Sequence, residues 1–171
     1  MNLKLINSNV NAILRGFQDM TLPIDIEKIA KARGVEIVPF PMTDGVSGML
    51  AIQEGKATIG YNQSEGKLRS RFTIAHELGH YELHKDKSHL FVDKQFIYRS
   101  QSSGDTPDKK VMEQEANYFA SAILMPTSLL RREIDKIDID LRSEEAIDKL
   151  ARIFQVSPTA MTVRISSLGL L

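Results

Sequence analysis

The chain is 171 residues long, 42% hydrophobic and 26% charged, enough for one domain, or one domain with a small appendage, around a buried core. Lys plus Arg and Asp plus Glu are both 22, and this zero formal charge argues against strong non-specific attachment to nucleic acid or anionic membrane. There is no Cys, which excludes a disulfide framework and a thiolate metal site, so any bound metal must use N and O ligands.

Met1 to Phe17 holds no continuous apolar run, because Asn2, Asn7, Ser8, Asn9 and Asn11 interrupt it. Neither a secretory signal nor a membrane span is expected, and the chain reads as cytoplasmic. Pro23 precedes an amphipathic segment, Asp25 to Arg33, with Ile26, Ile29 and Ala30 at helical spacing and Gly34 as a stop. Three short extended runs follow, Val35 to Val38, Gly48 to Gln53 and Ala57 to Tyr61. The last two flank Glu54-Gly55 as a hairpin, so a small, mostly antiparallel sheet precedes the next helix. That helix runs to about His84, with Asn62 and Ser64 as N-cap choices. Phe72, Ala75, Leu78 and Gly79 supply its buried stripe, leaving Thr73, His76, Glu77 and His80 toward a cleft.

Within it lies His76-Glu77-Leu78-Gly79-His80. Positions i and i+4 of a helix share one face about a turn apart, so both imidazoles can reach a single metal ion. Glu77 stands at the edge of that face, where it can act on a metal-activated water without being a ligand. The competing reading is a solvated helix that happens to be rich in His and Glu. At average residue usage that pattern arises in only about one random chain of this length in a couple of hundred.

Beyond the helix, Leu90 to Tyr98 reads as an edge strand or as part of a substrate cleft, and residues 101–105 as an exposed loop. Thr106-Pro107 is a helix start, and that helix should run to about Leu124, before Pro126. Further helices are expected near 127–136, 143–154 and 158–168.

Two His leave a tetrahedral catalytic metal one protein ligand short. With no Cys and no distant His, the missing ligand should be a carboxylate. The helix from Pro107 offers Glu113 and Glu115. At roughly 100° per residue, Glu113 shares a stripe with Ala116, Asn117, Ala120 and Leu124, whose small members allow close approach of another helix. Glu115 points roughly 200° away, on the side of Val111, Tyr118 and Ala122, so Glu113 takes the ligand role. Asn117, one turn on, is placed to fix a ligating imidazole by a hydrogen bond. His84 continues the i+4 series but lies about 12 Å along the axis from His76, too far for the same ion. It reads as a structural or cleft-edge residue, and His89 has no motif support.

Several blocks here resemble the ImmA/IrrE metallopeptidases. They are Gly48-Met49-Leu50, Ile59-Gly60-Tyr61-Asn62, Arg69-Ser70-Arg71-Phe72-Thr73-Ile74-Ala75-His76-Glu77-Leu78-Gly79-His80 with Leu83-His84, Glu113-Gln114-Glu115-Ala116-Asn117-Tyr118-Phe119-Ala120, and Leu124-Met125-Pro126. The resemblance spans roughly residues 22 to 130. It implies an α+β, zincin-like metallopeptidase fold with one Zn²⁺ per chain, held by His76, His80 and Glu113, and a catalytic Glu77. It also implies a protein substrate, a helix-turn-helix repressor of a mobile element or stress regulon. The domain division expected is a core over 1–126 and a C-terminal helical extension over 127–171, packed on that core.

In the mechanism these residues suggest, Glu77 acts as general base and then general acid. Arg71, Tyr61 and Tyr98 are chemically able to assist the oxyanion or contact substrate, and Arg71 reads equally as an ion-pair partner that sets the helix. The extension has a helix-turn-helix outline, with Ser157 as N-cap and Pro158 at the first helical position. Its second helix carries Arg164 as its only basic residue, too little to anchor phosphates, so direct DNA binding is disfavoured. The alternative to a peptidase is a non-catalytic, metal-containing module that binds a partner. A structural site would have no need of Glu77.

Overall fold

The computed structural model describes residues 1–17, 20–43, 45–94 and 106–170. An N-terminal helix, α1 (Leu3–Arg15), is followed by α2 (Ile26–Ala32) and three strands, β1 (Val35–Phe40), β2 (Val46–Gln53) and β3 (Lys56–Asn62). Then come α3 (Lys67–His84), β4 (Leu90–Lys94), α4 (Pro107–Leu124), α5 (Thr127–Ile134), α6 (Glu144–Phe154) and α7 (Pro158–Ser167). The architecture is mixed α+β. Among the described residues, no helix is long and apolar enough to cross a membrane.

The helix over α1 is the element that the sequence reading did not foresee. Ile6, Val10, Ile13 and Leu14 are buried at helical spacing, with Asn2 as the N-cap, Asn7 and Asn9 half-buried and Asn11 exposed. Asn2 accepts from the Leu5 N–H at 3.2 Å, and Asn7 donates to the Tyr118 hydroxyl at 2.9 Å, tying α1 to α4.

The sheet has the order β1-β3-β2-β4. β1 runs parallel to β3, while β2 pairs antiparallel with both β3 and β4. Glu54 and Gly55 turn the β2–β3 hairpin with φ of 49° and 77°, a geometry that glycine takes without strain. β4 is an edge strand, as one of the two expectations for Leu90 onward had it; Tyr98 and residues 101–105 lie outside the described residues.

α3 begins later than Asn62 or Ser64. Its N-cap is Gly66, with no side-chain cap. Asn62 instead closes the preceding turn, accepting from the Ser64 amide and hydroxyl at 3.1 and 2.7 Å and donating to the Val46 carbonyl at 3.0 Å. Nor is one side of α3 left toward an open cleft. Thr73 through His80 are all buried, because strand and helix cover both flanks. Two glycines permit this. A Cβ at position 48 on β2 would lie 2.3 Å from Thr73 Cγ2. A Cβ at position 79 would lie 3.2 Å from both the Cα and the carbonyl oxygen of Ala116, so α3 and α4 touch backbone to backbone there.

The C-terminal helices share the same apolar cluster as α1, the sheet and α3, through Leu129, Leu130, Leu150, Phe154, Met161 and Ile165. Ser143 and Ser157 cap α6 and α7, and Gln155 makes the left-handed turn between them with φ of 50°.

Candidate metal centre

α3 places His76 and His80 one turn apart, and α4 brings Glu113 across from them. The two Nε2 atoms are 3.1 Å apart. Glu113 Oε2 lies 3.3 Å from His76 Nε2, and its Oε1 lies 3.4 Å from His80 Nε2. A tetrahedral ion with bonds of about 2.0–2.1 Å keeps its ligand atoms about 3.3 Å apart. The spacing of this donor set is therefore that of three corners of a tetrahedron.

Proton placement points the same way. His76 Nδ1 faces Asn117 Oδ1 at 3.0 Å, an acceptor, so His76 carries its proton there and turns a lone pair on Nε2 inward. His80 Nδ1 faces His84 Nδ1 at 3.2 Å, and the other nitrogen of His84 faces Glu115 Oε2 at 3.0 Å. Glu115 accepts only, so His84 donates to it from Nε2, receives at Nδ1, and leaves His80 with its Nε2 lone pair inward. Three lone-pair atoms thus meet at one point, which calls for a proton or a cation between them. Phe91 of β4 stacks on the His80 ring with centroids 4.5 Å apart and holds it from another side.

Glu77 is fully buried, and neither of its carboxylate oxygens has a hydrogen-bond partner among the described residues. Burial pushes its pKa up to about 8, with Asp93 and Glu113 adding to the rise and His76 opposing it. Asp93, on β4, forms with His76 and Glu77 a second group whose donor atoms lie within 4.8 Å of one another. Burial also raises Asp93, against the pull of His76 and of Arg69, whose Nη2 is 3.3 Å away. Burial lowers the His80 pKa. At His76 burial acts in the same sense, but Glu113, Glu77 and Asp93 together outweigh it and the net shift is upward. Burial would raise Glu113, yet the hydrogen bonds and charges of His76 and His80 hold it well below the ordinary carboxylate range.

The structure therefore brings together His76, Glu77, His80, Glu113 and Asn117. It sends Arg71 elsewhere. Its Nη2 donates to the Ile24 carbonyl at 2.9 Å and its Nε to the Gln155 carbonyl at 3.3 Å, pinning α3 to the start of α2 and to the α6–α7 turn. Tyr61 lines a cavity of about 350 Å³ together with Arg71, Glu65 and Lys67, and none of His76, His80 and Glu113 lines that cavity. Sequence reasoning passed over Asp93, Phe91 and the His84–Glu115 pair. Only His84 had a signal, its i+4 spacing from His80.

Compared with known proteins, residues 30–166 match the family model described as the IrrE N-terminal-like domain. That stretch runs across the expected division at residue 126. Among solved structures, the chain is similar to a Mycobacterium tuberculosis transcriptional regulator, with 20% identity and a TM-score of 0.61 over 96% of this chain. At that identity the likeness concerns the fold, and the chain spans about half of that structure, 47% of its length. No curated protein matches.

Proposed function

This chain belongs to the ImmA/IrrE family of metallopeptidases, and from that premise we propose that it is a zinc-dependent endopeptidase. Its proposed substrate is a helix-turn-helix transcriptional repressor. The observation that carries the enzymatic part is Glu77, a buried carboxylate without a hydrogen-bond partner beside a three-donor cluster. A structural metal site has no use for such a group, whereas a hydrolase needs a base at that place.

In this reading His76, His80 and Glu113 hold the ion, and Asn117 orients His76. Zinc, when bound, would supply a Lewis acid that acidifies water and polarises the scissile carbonyl. Glu77 takes the proton of the attacking water and passes it to the leaving amine. The Glu77 carboxylate is destabilised by burial and by Asp93 and Glu113, so it gains the most from a cation beside it. The N and O donor set, its tetrahedral spacing and the family resemblance support the choice of zinc. Residues 1–126 form the catalytic core in this reading, and 127–171 a packed extension that helps dock the substrate. The repressor substrate that the ImmA/IrrE resemblance implies, and a solved relative that is a transcriptional regulator, support the choice of substrate.

The cover over Thr73 through His80, which leaves no open cleft along that face of α3, favours a second reading, a metal-containing module that binds a partner without cutting it. The decisive experiment incubates the purified chain with a helix-turn-helix repressor encoded beside it, with zinc and with chelator. Cleavage that chelator abolishes, and that Glu77→Gln loses while still holding zinc, is the expected result. Undiminished cleavage by Glu77→Gln overturns the role of Glu77, and a stable complex without cleavage supports the second reading.

A further inference from the structure

Each of the two histidines facing Glu113 is tied from behind to α4, His76 directly and His80 through a second imidazole of α3. Asn117 meets His76 directly. His80 is one turn further along α3, where Asn117 cannot also serve it. There a second imidazole fills the gap: His84 Nδ1 stands 3.2 Å from His80 Nδ1, and His84 Nε2 stands 3.0 Å from Glu115 Oε2. Glu115 is in turn approached by the Asn2 amide of α1 at 3.4 Å. His84 is 1% exposed, and nothing in the proposed chemistry uses it.

We infer that His84 and Glu115 are positioning residues for the metal centre. They form a Glu115–His84–His80 relay that fixes the tautomer and ring orientation of His80, as Asn117 does for His76. The inference rests on the reading of His76, His80 and Glu113 as a zinc site. Its physical content is directional. Glu115, an obligate acceptor, forces the His84 proton onto Nε2 and exposes an acceptor at Nδ1. That acceptor takes the His80 Nδ1 proton, and the inward nitrogen of His80 is left as a free lone pair. Without the relay the His80 ring can hold its proton on Nε2, where it competes with the ion. Partners of this outer kind are typically worth 10- to 100-fold in metal affinity. The relay also gives α1 a task, since its N-cap residue Asn2 supplies the backbone donor that helps keep Glu115 turned toward His84.

The test measures zinc affinity by competition with a chromophoric chelator, and the unfolding temperature of the metal-free protein, for wild type, His84→Leu, His84→Asn and Glu115→Gln. His84→Leu should bind zinc about 10- to 100-fold more weakly. His84→Asn, whose Oδ1 can stand where Nδ1 stood, should recover much of that loss although it is no more stable than His84→Leu. Glu115→Gln should fall between wild type and His84→Leu. Equal zinc affinity in wild type and His84→Leu overturns the relay, as does an affinity that merely follows metal-free stability across the series. A wild-type chain that binds no zinc removes the metal centre itself, and the relay with it.

Discussion

Glu77→Gln should stabilise the metal-free protein while destroying its activity, and the size of the gain should depend on pH. In the folded chain the Glu77 pKa is raised from 4.5 to about 8, chiefly by burial. A carboxyl raised in this way binds its proton in the folded state over a range where the unfolded state has released it. Stability is therefore lost as pH rises from about 4.5 to about 8, at about 1.36 kcal/mol per pH unit. At pH 7 about 2.5 units of that window have been crossed, so the native carboxyl costs about 3 kcal/mol. Gln has nearly the same volume and no charge to lose. The assay is urea unfolding of both proteins, in chelator, from pH 4.5 to 8. The two curves should meet near pH 4.5 and diverge by about 3 kcal/mol in favour of Glu77→Gln at pH 7. A gap that stays flat with pH would refute the reasoning, because the burial of Glu77 would then carry no titration.

On the proposed zinc-peptidase reading, the same electrostatics should govern metal binding. Glu77 holds its proton near neutrality in the metal-free chain, so an ion bound beside it must displace that proton. Affinity should rise with pH up to about 8, and calorimetry in buffers of different ionisation enthalpy should show proton release; a pH-independent affinity counts against the assignment. Gly79→Ala would push its Cβ to 3.2 Å from the Ala116 backbone, which cannot yield. It should destabilise the metal-free protein by about 1–3 kcal/mol and weaken zinc binding, because it separates the helices that carry the His pair and Glu113. Normal stability and affinity in that variant would show that α3 and α4 have slack between them.

The two helices that build the site could be read in the sequence because their signals are local. The i+4 spacing of His76 and His80, the Pro107 start and the stop before Pro126 all act within a few residues. Helical phase alone separated Glu113 from Glu115 in their roles. Phase states where a side chain points relative to its own axis, not which helix crosses it. Glu115 therefore looked idle, although it reaches His84 at the seam between α1 and α3. The α1 helix was hidden for a related reason. Its asparagines are weak helix formers, and what holds it is the burial of Ile6, Val10, Ile13 and Leu14 together with the bond from Asn7 to Tyr118, 111 residues away. Arg71 failed as an oxyanion candidate because its partners are backbone carbonyls, which no residue type marks. Burial of Thr73 and Glu77 was likewise illegible, since it is the glycines at 48 and 79 that let neighbours cover both sides of α3.

Arg164 shows how a helix-turn-helix outline can serve packing. As the only basic residue of α7 it was the one candidate there for a phosphate contact, yet it is 1% exposed. Its Nε donates to the Met125 carbonyl at the end of α4, 3.2 Å away, and its Nη2 to Thr127 Oγ1 at 3.3 Å. Its guanidinium lies over the Tyr118 ring, 5.6 Å from the centroid. The cation thus sits where the α4 dipole is negative and closes carbonyls that the helix leaves open. Nη1 has no partner among the described residues, and burial lowers the pKa, so part of the gain is returned. Arg164→Ala opens a cavity and strands the Met125 carbonyl, and should cost about 2–5 kcal/mol. Arg164→Met keeps the bulk and discards the buried charge, and should cost clearly less. If instead both variants unfold like wild type and only binding to DNA changes, then α7 presents Arg164 outward in solution and the packing role is wrong.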